Sequence, residues 1–182
     1  MSSLRVDMTF LDDIAVEKMR DARLRRGFIE EPPDPLRRRA SLAEAVAKPG
    51  LSFICEIKRA SPTEGCIKDV DAAATARAYE SAGADAISVL TDGRHFGGRL
   101  EDLEAVKSTC SLPVLRKDFI VHMQQIRDAY IFGADAVLLI AALLKDRTKE
   151  FVEFAGYVGL ECRLRAPLEE SLPAMRKLAN FA

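Results

Sequence analysis

The chain has 182 residues, is 48% hydrophobic and 30% charged, and carries a formal net charge of −1 with a pI near 6.2. That length supports one domain with a sizeable core, and the near-neutral charge excludes a strongly basic nucleic-acid binder or a partner for acidic membrane surfaces. Four cysteines (Cys55, Cys66, Cys110, Cys162) without a CxxC pair, and only two histidines (His95, His122), support neither a metal site nor a disulfide framework.

The N-terminus lacks an apolar signal-peptide core, and the longest apolar run, Ala136 to Leu144, is too short to span a bilayer. A cytoplasmic location with free thiols is expected. From about Phe10 to Gly27 the pattern predicts an amphipathic helix with Ile14, Met19 and Leu24 as its apolar stripe. Pro32, Pro33 and Pro35 break it. A short helix over Ser41 to Ala47 follows, with Ser41 and Glu44 spaced as a capping box. Pro49-Gly50 ends it.

The chain then becomes regular. Strands are expected at Leu51–Lys58, Ala86–Leu90, Pro113–Arg116, Ala136–Ile140 and Leu160–Leu164. Helices are expected at Asp71–Ala82, Leu100–Ser108, Met123–Phe132, Arg147–Val158 and Glu169–Ala179. The short strands are apolar on both faces, as parallel strands covered by helices should be. Gly83-Ala84-Asp85-Ala86 and Gly133-Ala134-Asp135-Ala136 are one element seen twice: a helix-ending glycine, a tight turn and a new strand. No GxGxxG run follows the first strand, which weighs against a dinucleotide-binding sheet. The fold class is therefore α/β, a (β/α) barrel. It divides into an N-terminal helical extension over 1–50 and barrel units over 51–182.

Barrel sites collect at the C-terminal ends of strands. The first strand ends in Glu56 and Lys58, which period-2 geometry puts on one face, and then Ser61. The second ends at Ser88–Asp92, before the loop Gly93-Arg94-His95-Phe96-Gly97-Gly98. The third ends at Arg116, Lys117 and Asp118. Two lysines and a glutamate would converge on one mouth. A rim salt bridge is the plainer alternative for Glu56 and Lys58, and pairing with Asp118 is the plainer alternative for Lys117.

Four runs in order resemble the indole-3-glycerol-phosphate synthase family. They are Glu56-Ile57-Lys58-Arg59-Ala60-Ser61-Pro62, Ser88-Val89-Leu90-Thr91-Asp92 with Phe96-Gly97-Gly98, Pro113-Val114-Leu115-Arg116-Lys117-Asp118-Phe119, and Gly133 to Ile140. The resemblance runs to about Cys162 and implies an eight-stranded TIM barrel, here truncated to about five β-α units. It implies an enzyme that closes an indole ring, converting 1-(2-carboxyphenylamino)-1-deoxyribulose 5-phosphate to indole-3-glycerol phosphate, carbon dioxide and water without metal or organic cofactor. By the same resemblance the catalytic residues are Lys117, Lys58 and Glu56: Lys117 is the general acid, Lys58 holds the substrate's anionic groups and can share the acid role, and Glu56 orients Lys58 and the substrate. Phe96 and Phe119 pack the aromatic ring, Leu138 lies beneath it, and Ser61 lies near the substrate carboxylate.

The resemblance places a glutamate base in the fifth strand, where this chain has Arg165, and an arginine cannot accept a proton. The chain ends at Ala182, ahead of the strands that would carry the family's phosphate loops. A frameshift or premature stop is one expectation from that departure. Two readings remain: a member of this synthase family, or an inactive partial barrel that self-associates or docks a partner fragment through exposed strand edges. A related sugar-phosphate barrel such as phosphoribosylanthranilate isomerase fits less well, because that enzyme works with a cysteine and an aspartate. The expected ligand is a small phosphorylated molecule, with no nucleic acid or membrane partner.

Overall fold

The structure is a computed structural model that describes residues 8–24, 39–61, 65–66 and 70–165. The proline break at Pro32, Pro33 and Pro35, Pro62 of the first motif and the helix expected at Glu169–Ala179 lie outside those residues.

The strands are β1 (Ile54–Ile57), β2 (Ala60–Ser61), β3 (Gly65–Cys66), β4 (Ala86–Leu90), β5 (Val114–Lys117), β6 (Ala136–Ile140) and β7 (Glu161–Arg165). The helices are α1 (Met8–Leu24), α2 (Leu42–Val46), α3 (Ala72–Ser81), α4 (Gly93–Phe96), α5 (Glu101–Lys107), α6 (Met123–Ile131), α7 (Ala141–Leu144) and α8 (Thr148–Tyr157). The main sheet is wholly parallel in the order β1-β4-β5-β6-β7, and β2 and β3 form a small antiparallel pair. Each new strand joins the same side of the last. A doubly wound sheet would reverse direction at its first strand, so the order is that of a barrel wall.

The two faces of the wall are filled differently. On the outer face Ile87, Val89, Val114, Val137 and Leu139 pack against α3, α5, α6 and α8 with Leu103, Val106, Ile126 and Phe151, all nearly or fully buried. Each such side chain contributes about 1.5–3 kcal/mol by leaving water. On the inner face Ala86, Leu115, Ala136 and Leu138 form a second cluster with Leu42 of α2. Alanines at two of these positions leave room for Leu42, so α2 closes the bottom of the wall.

The repeated Gly-Ala-Asp-Ala element has one job at both sites. Asp85 accepts the Phe53 N–H at 2.8 Å, and Asp135 accepts the Val114 N–H at 2.8 Å. Each aspartate thus ties the start of its own strand to a neighbouring strand. Gly83 and Gly133 take φ of +87° and +89° at the preceding helix ends, which a β-carbon would disfavour.

Several elements differ from the sequence expectation. The first strand is shorter than expected: Leu51 and Phe53 are 85% and 58% exposed, and pairing starts at Ile54. In α1 the buried stripe is Leu11, Ile14 and Ala22, while Met19 is only half-buried. Ser41 caps α2 by accepting the Glu44 N–H at 3.0 Å, but Glu161 completes the cap from β7, accepting from Ser41 Oγ at 2.6 Å and the Ala43 N–H at 2.9 Å. The stretch read as a loop after Lys58 contains the β2–β3 pair, and the loop after Asp92 contains α4. None of the described helices is long and apolar enough to cross a membrane.

Candidate active site

The inner face turns polar at the C-terminal ends of β1, β4 and β5. Glu56 on β1 is in register with Ser88 on β4, and Leu90 on β4 with Lys117 on β5. Lys117 reaches past β4 to form an ion pair with Glu56 Oε2, and both side chains are about one-third exposed. The two strands lie about 10 Å apart across β4. The pair meets there because β4 offers only the small Ser88 on this face at the level of Glu56. The Ser88 hydroxyl is buried and has no hydrogen-bond partner among the described residues. A donor left bare on the inner face of a cleft is suited to a ligand oxygen.

Lys58 follows β1 and is half-buried, with no ion pair to Glu56. The geometry therefore joins Glu56 to Lys117 rather than to Lys58. Ser61 is buried on β2. Phe96 ends α4, and its carbonyl accepts the Arg59 N–H at 3.3 Å, so the α4 turn leans on the chain leaving β1. Phe96 and Phe119 face each other with ring centroids 6.3 Å apart, and His95 meets Phe119 edge-on at the same distance. Leu138 lies on the inner face of β6 within the cluster beneath. The structure thus brings Glu56 to Lys117 and Phe96 to Phe119, while Ser61 and Leu138 sit on separate elements.

A buried polar network holds these strand ends from behind. Arg116 points outward and donates to Thr91 Oγ1 at 3.0 Å, to Asp118 Oδ2 at 2.8 Å and to the Gln125 carbonyl. Thr91 donates to Asp118 Oδ2 at 2.7 Å, and Asp118 Oδ1 accepts the Phe119 N–H at 2.8 Å. Burial alone would raise the Asp118 pKa, but the Arg116 guanidinium and the Lys18 ammonium hold it well below the usual carboxylate range. Gln125 caps the next turn by accepting from Val121 and His122 and donating to the Phe119 carbonyl at 3.0 Å.

The sequence reading missed this network. Its one visible signal was the alternation Leu115-Arg116-Lys117, which must send Arg116 to the helix-covered face. There a guanidinium needs a carboxylate, and Asp118 supplies it two residues later. Arg59 of the first motif is likewise a tie: it pairs with Asp102 of α5 and donates to the Val70 carbonyl at 2.9 Å.

The fifth position of the wall is set by β7. Cys162 and Leu164 pack toward the outer core, so Glu161, Arg163 and Arg165 lie on the inner face. Arg165 is in register with Ile140 at the top of the wall and is exposed. Among the described residues there is no His, Cys, Asp and Glu group of a size that could hold a metal ion.

The family model for indole-3-glycerol phosphate synthase matches residues 13–174. Over 144 residues the chain is 46% identical to the indole-3-glycerol phosphate synthase of Geobacillus kaustophilus strain HTA426, covering 77% of this chain and 56% of the relative. It is 46% identical over 143 residues to that of Aquifex aeolicus strain VF5, covering 72% and 56%. It is 40% identical over 175 residues to that of Syntrophobacter fumaroxidans strain MPOB, covering 91% and 66%. The chain spans a little over half the length of most of these relatives.

Proposed function

The chain belongs to the indole-3-glycerol phosphate synthase family, and we propose that its cleft binds 1-(2-carboxyphenylamino)-1-deoxyribulose 5-phosphate and promotes ring closure to indole-3-glycerol phosphate, with loss of carbon dioxide and water. The observation that carries this reading is the Lys117–Glu56 pair on the inner face, beside a Ser88 hydroxyl with no partner among the described residues, at strand ends that lead on to the packed Phe96 and Phe119 rings.

In this reading Lys117 donates the proton that the substrate carbonyl needs as the aromatic carbon attacks it. Glu56 aims the ammonium across the cleft. Lys58 holds the substrate carboxylate, with Ser61 close by, and the Ser88 O–H donates to a substrate oxygen. Phe96 and Phe119 pack the benzene ring over Leu138. Arg165 cannot take a proton and Glu161, at the other end of β7, is engaged by the α2 cap, so β7 supplies no base at the top of the wall, and turnover is expected to be slow. The test of binding is a titration read by the substrate's own anthranilate-type fluorescence. Lys58→Ala should weaken binding about tenfold, the scale of one charge-assisted contact. Equal affinity in the two proteins would remove Lys58 from the site.

One observation favours a second reading. Among the described strands β1 and β7 are the sheet edges, and edge strands offer free N–H and C=O groups to another strand. In that reading the wall is a binding module for a complementary barrel segment or a second copy. A concentration-independent monomer by light scattering would rule against the second copy.

A further inference from the structure

Lys18 lies on α1, outside every motif that the site uses. Its ammonium is 2.6 Å from Asp92 Oδ2 and 2.8 Å from Asp118 Oδ1, and the side chains are 11%, 1% and 2% exposed. Position 18 follows Ile14 by one helical turn, so Lys18 continues the buried stripe of α1.

Each carboxylate grips a different part of the cleft. Asp92 accepts the His95 N–H at 2.6 Å and contacts His95 Nδ1 at 3.1 Å, while its carbonyl accepts the Gly98 N–H at 2.8 Å. It therefore shapes the turn that carries Phe96. Asp118 accepts the Phe119 N–H and sits beside Lys117. Arg116 neutralises Asp118 from the far side. Among the described ion pairs the second partner of Asp92 is the His95 ring, a cation only when protonated, and apart from the Lys18 ammonium no donor among the described residues meets its Oδ2. Without Lys18, Arg116 would still pair with Asp118, but Asp92 would keep only its His95 contacts and a bare buried Oδ2. Repulsion between the two carboxylates and the cost of that oxygen would drive the two segments apart.

We propose that Lys18 is a positioning residue of the cleft: one ammonium on the N-terminal helix holds the Phe96 turn and the Phe119 segment together, and so places the two aromatic rings and the neighbouring Lys117. Its effect on turnover rests on the activity proposed above, whereas its effect on the two segments does not. The N-terminal helix is then part of the working site and not only a cover for the barrel.

The test compares the full chain with Lys18→Met, which keeps an unbranched side chain of similar reach and removes the charge. Asp12→Asn is the control. It loosens a different tie of α1, the exposed 3.4 Å pair with Lys145, which lies in neither of the two segments. Amide hydrogen exchange and substrate turnover are measured on each. Lys18→Met should speed exchange in 91–98 and 117–122 selectively and lower kcat on the order of 10²-fold, the scale of a small misplacement. Asp12→Asn should leave both near the parent values. Unchanged exchange in either segment, or equal effects from the two variants, would overturn the proposal. If the parent chain shows no turnover, the activity reading fails and the exchange pattern alone decides Lys18. If Lys18→Met does not fold, Lys18→Gln, neutral but still a donor, takes its place with the same outcomes.

Discussion

Glu56 and Lys117 stand 61 residues apart in the chain and form an ion pair across β4, with Ser88 between their strands. Neither strand adjoins the other, so the pair depends on β4 presenting a small side chain at that level. The arrangement also leaves Lys58 without a carboxylate partner among the described residues, available to an anion.

The β7 register makes Arg165 a direct test of the chemistry. It lies on the inner face at the top of the wall beside Ile140. Arg165→Glu would put a proton acceptor there, and general-base help is worth about 10²–10⁴-fold. Turnover by the variant should rise at least tenfold over the parent, read by indole fluorescence. A variant no faster than the parent would remove this position from the reaction.

The loop that carries Phe96 packs tightly on β4. A β-carbon on Gly98 would lie 2.1 Å from the Leu90 carbonyl oxygen. Gly98→Ala should therefore cost about 2–3 kcal/mol through forced backbone movement, measured by urea unfolding. Gly156 in α8 has nothing within 4 Å of its β-carbon position. Gly156→Ala should stabilise by about 0.5–1 kcal/mol, because alanine loses less freedom in a helix. Equal effects of the two changes would contradict the packing described.

The network behind the site has a defined pH signature. The Asp118 pKa is lowered in the folded chain: burial opposes this, but Arg116 and Lys18 outweigh it. The unfolded chain, with an aspartate near pKa 3.9, binds the proton more readily, so the contribution is full above about pH 5 and fades as pH falls toward the folded value. The Lys18 pKa is raised: burial would lower it, but Asp118 and Asp92 outweigh burial. Its contribution is full below its unfolded pKa of about 10.5 and is lost as pH rises through the higher folded value. Urea midpoints at pH 7 and pH 3 should differ less in Asp118→Asn than in the parent. An equal difference would place the acid sensitivity elsewhere.

Burial pushes the Cys162 thiol up to about 11. At pH 8 its thiolate fraction is then about 10⁻³, so alkylation should be on the order of 100-fold slower than for a free cysteine. Peptide-level mass spectrometry after iodoacetamide pulses checks this. Labelling at the free rate would mean that β7 does not pack its outer face as described.

Much of the barrel wall was legible because its signals are local. Glycine-ended helices, alternating burial and the duplicated Gly-Ala-Asp-Ala turn placed β4, β6, α3 and α6 within a residue or two. The first strand was overextended because the apolar run Leu51–Phe53 reads as buried, whereas pairing with β4 begins only at Ile54. Glu56 and Lys117 could be named from their strand ends, but their pairing could not. It depends on which strand lies between them, and that is a property of sheet order. Lys18 was overlooked because a charge inside an apolar stripe looks like an interruption. Its meaning comes from Asp92 and Asp118, both far along the chain.

The most direct test of the central claim is turnover of 1-(2-carboxyphenylamino)-1-deoxyribulose 5-phosphate by the purified chain, followed by indole fluorescence beside Lys117→Ala. The account predicts slow, saturable formation of indole-3-glycerol phosphate that falls by about 10²–10⁴-fold in the variant. Equal rates in the two proteins, or no product from a folded parent chain, would contradict it.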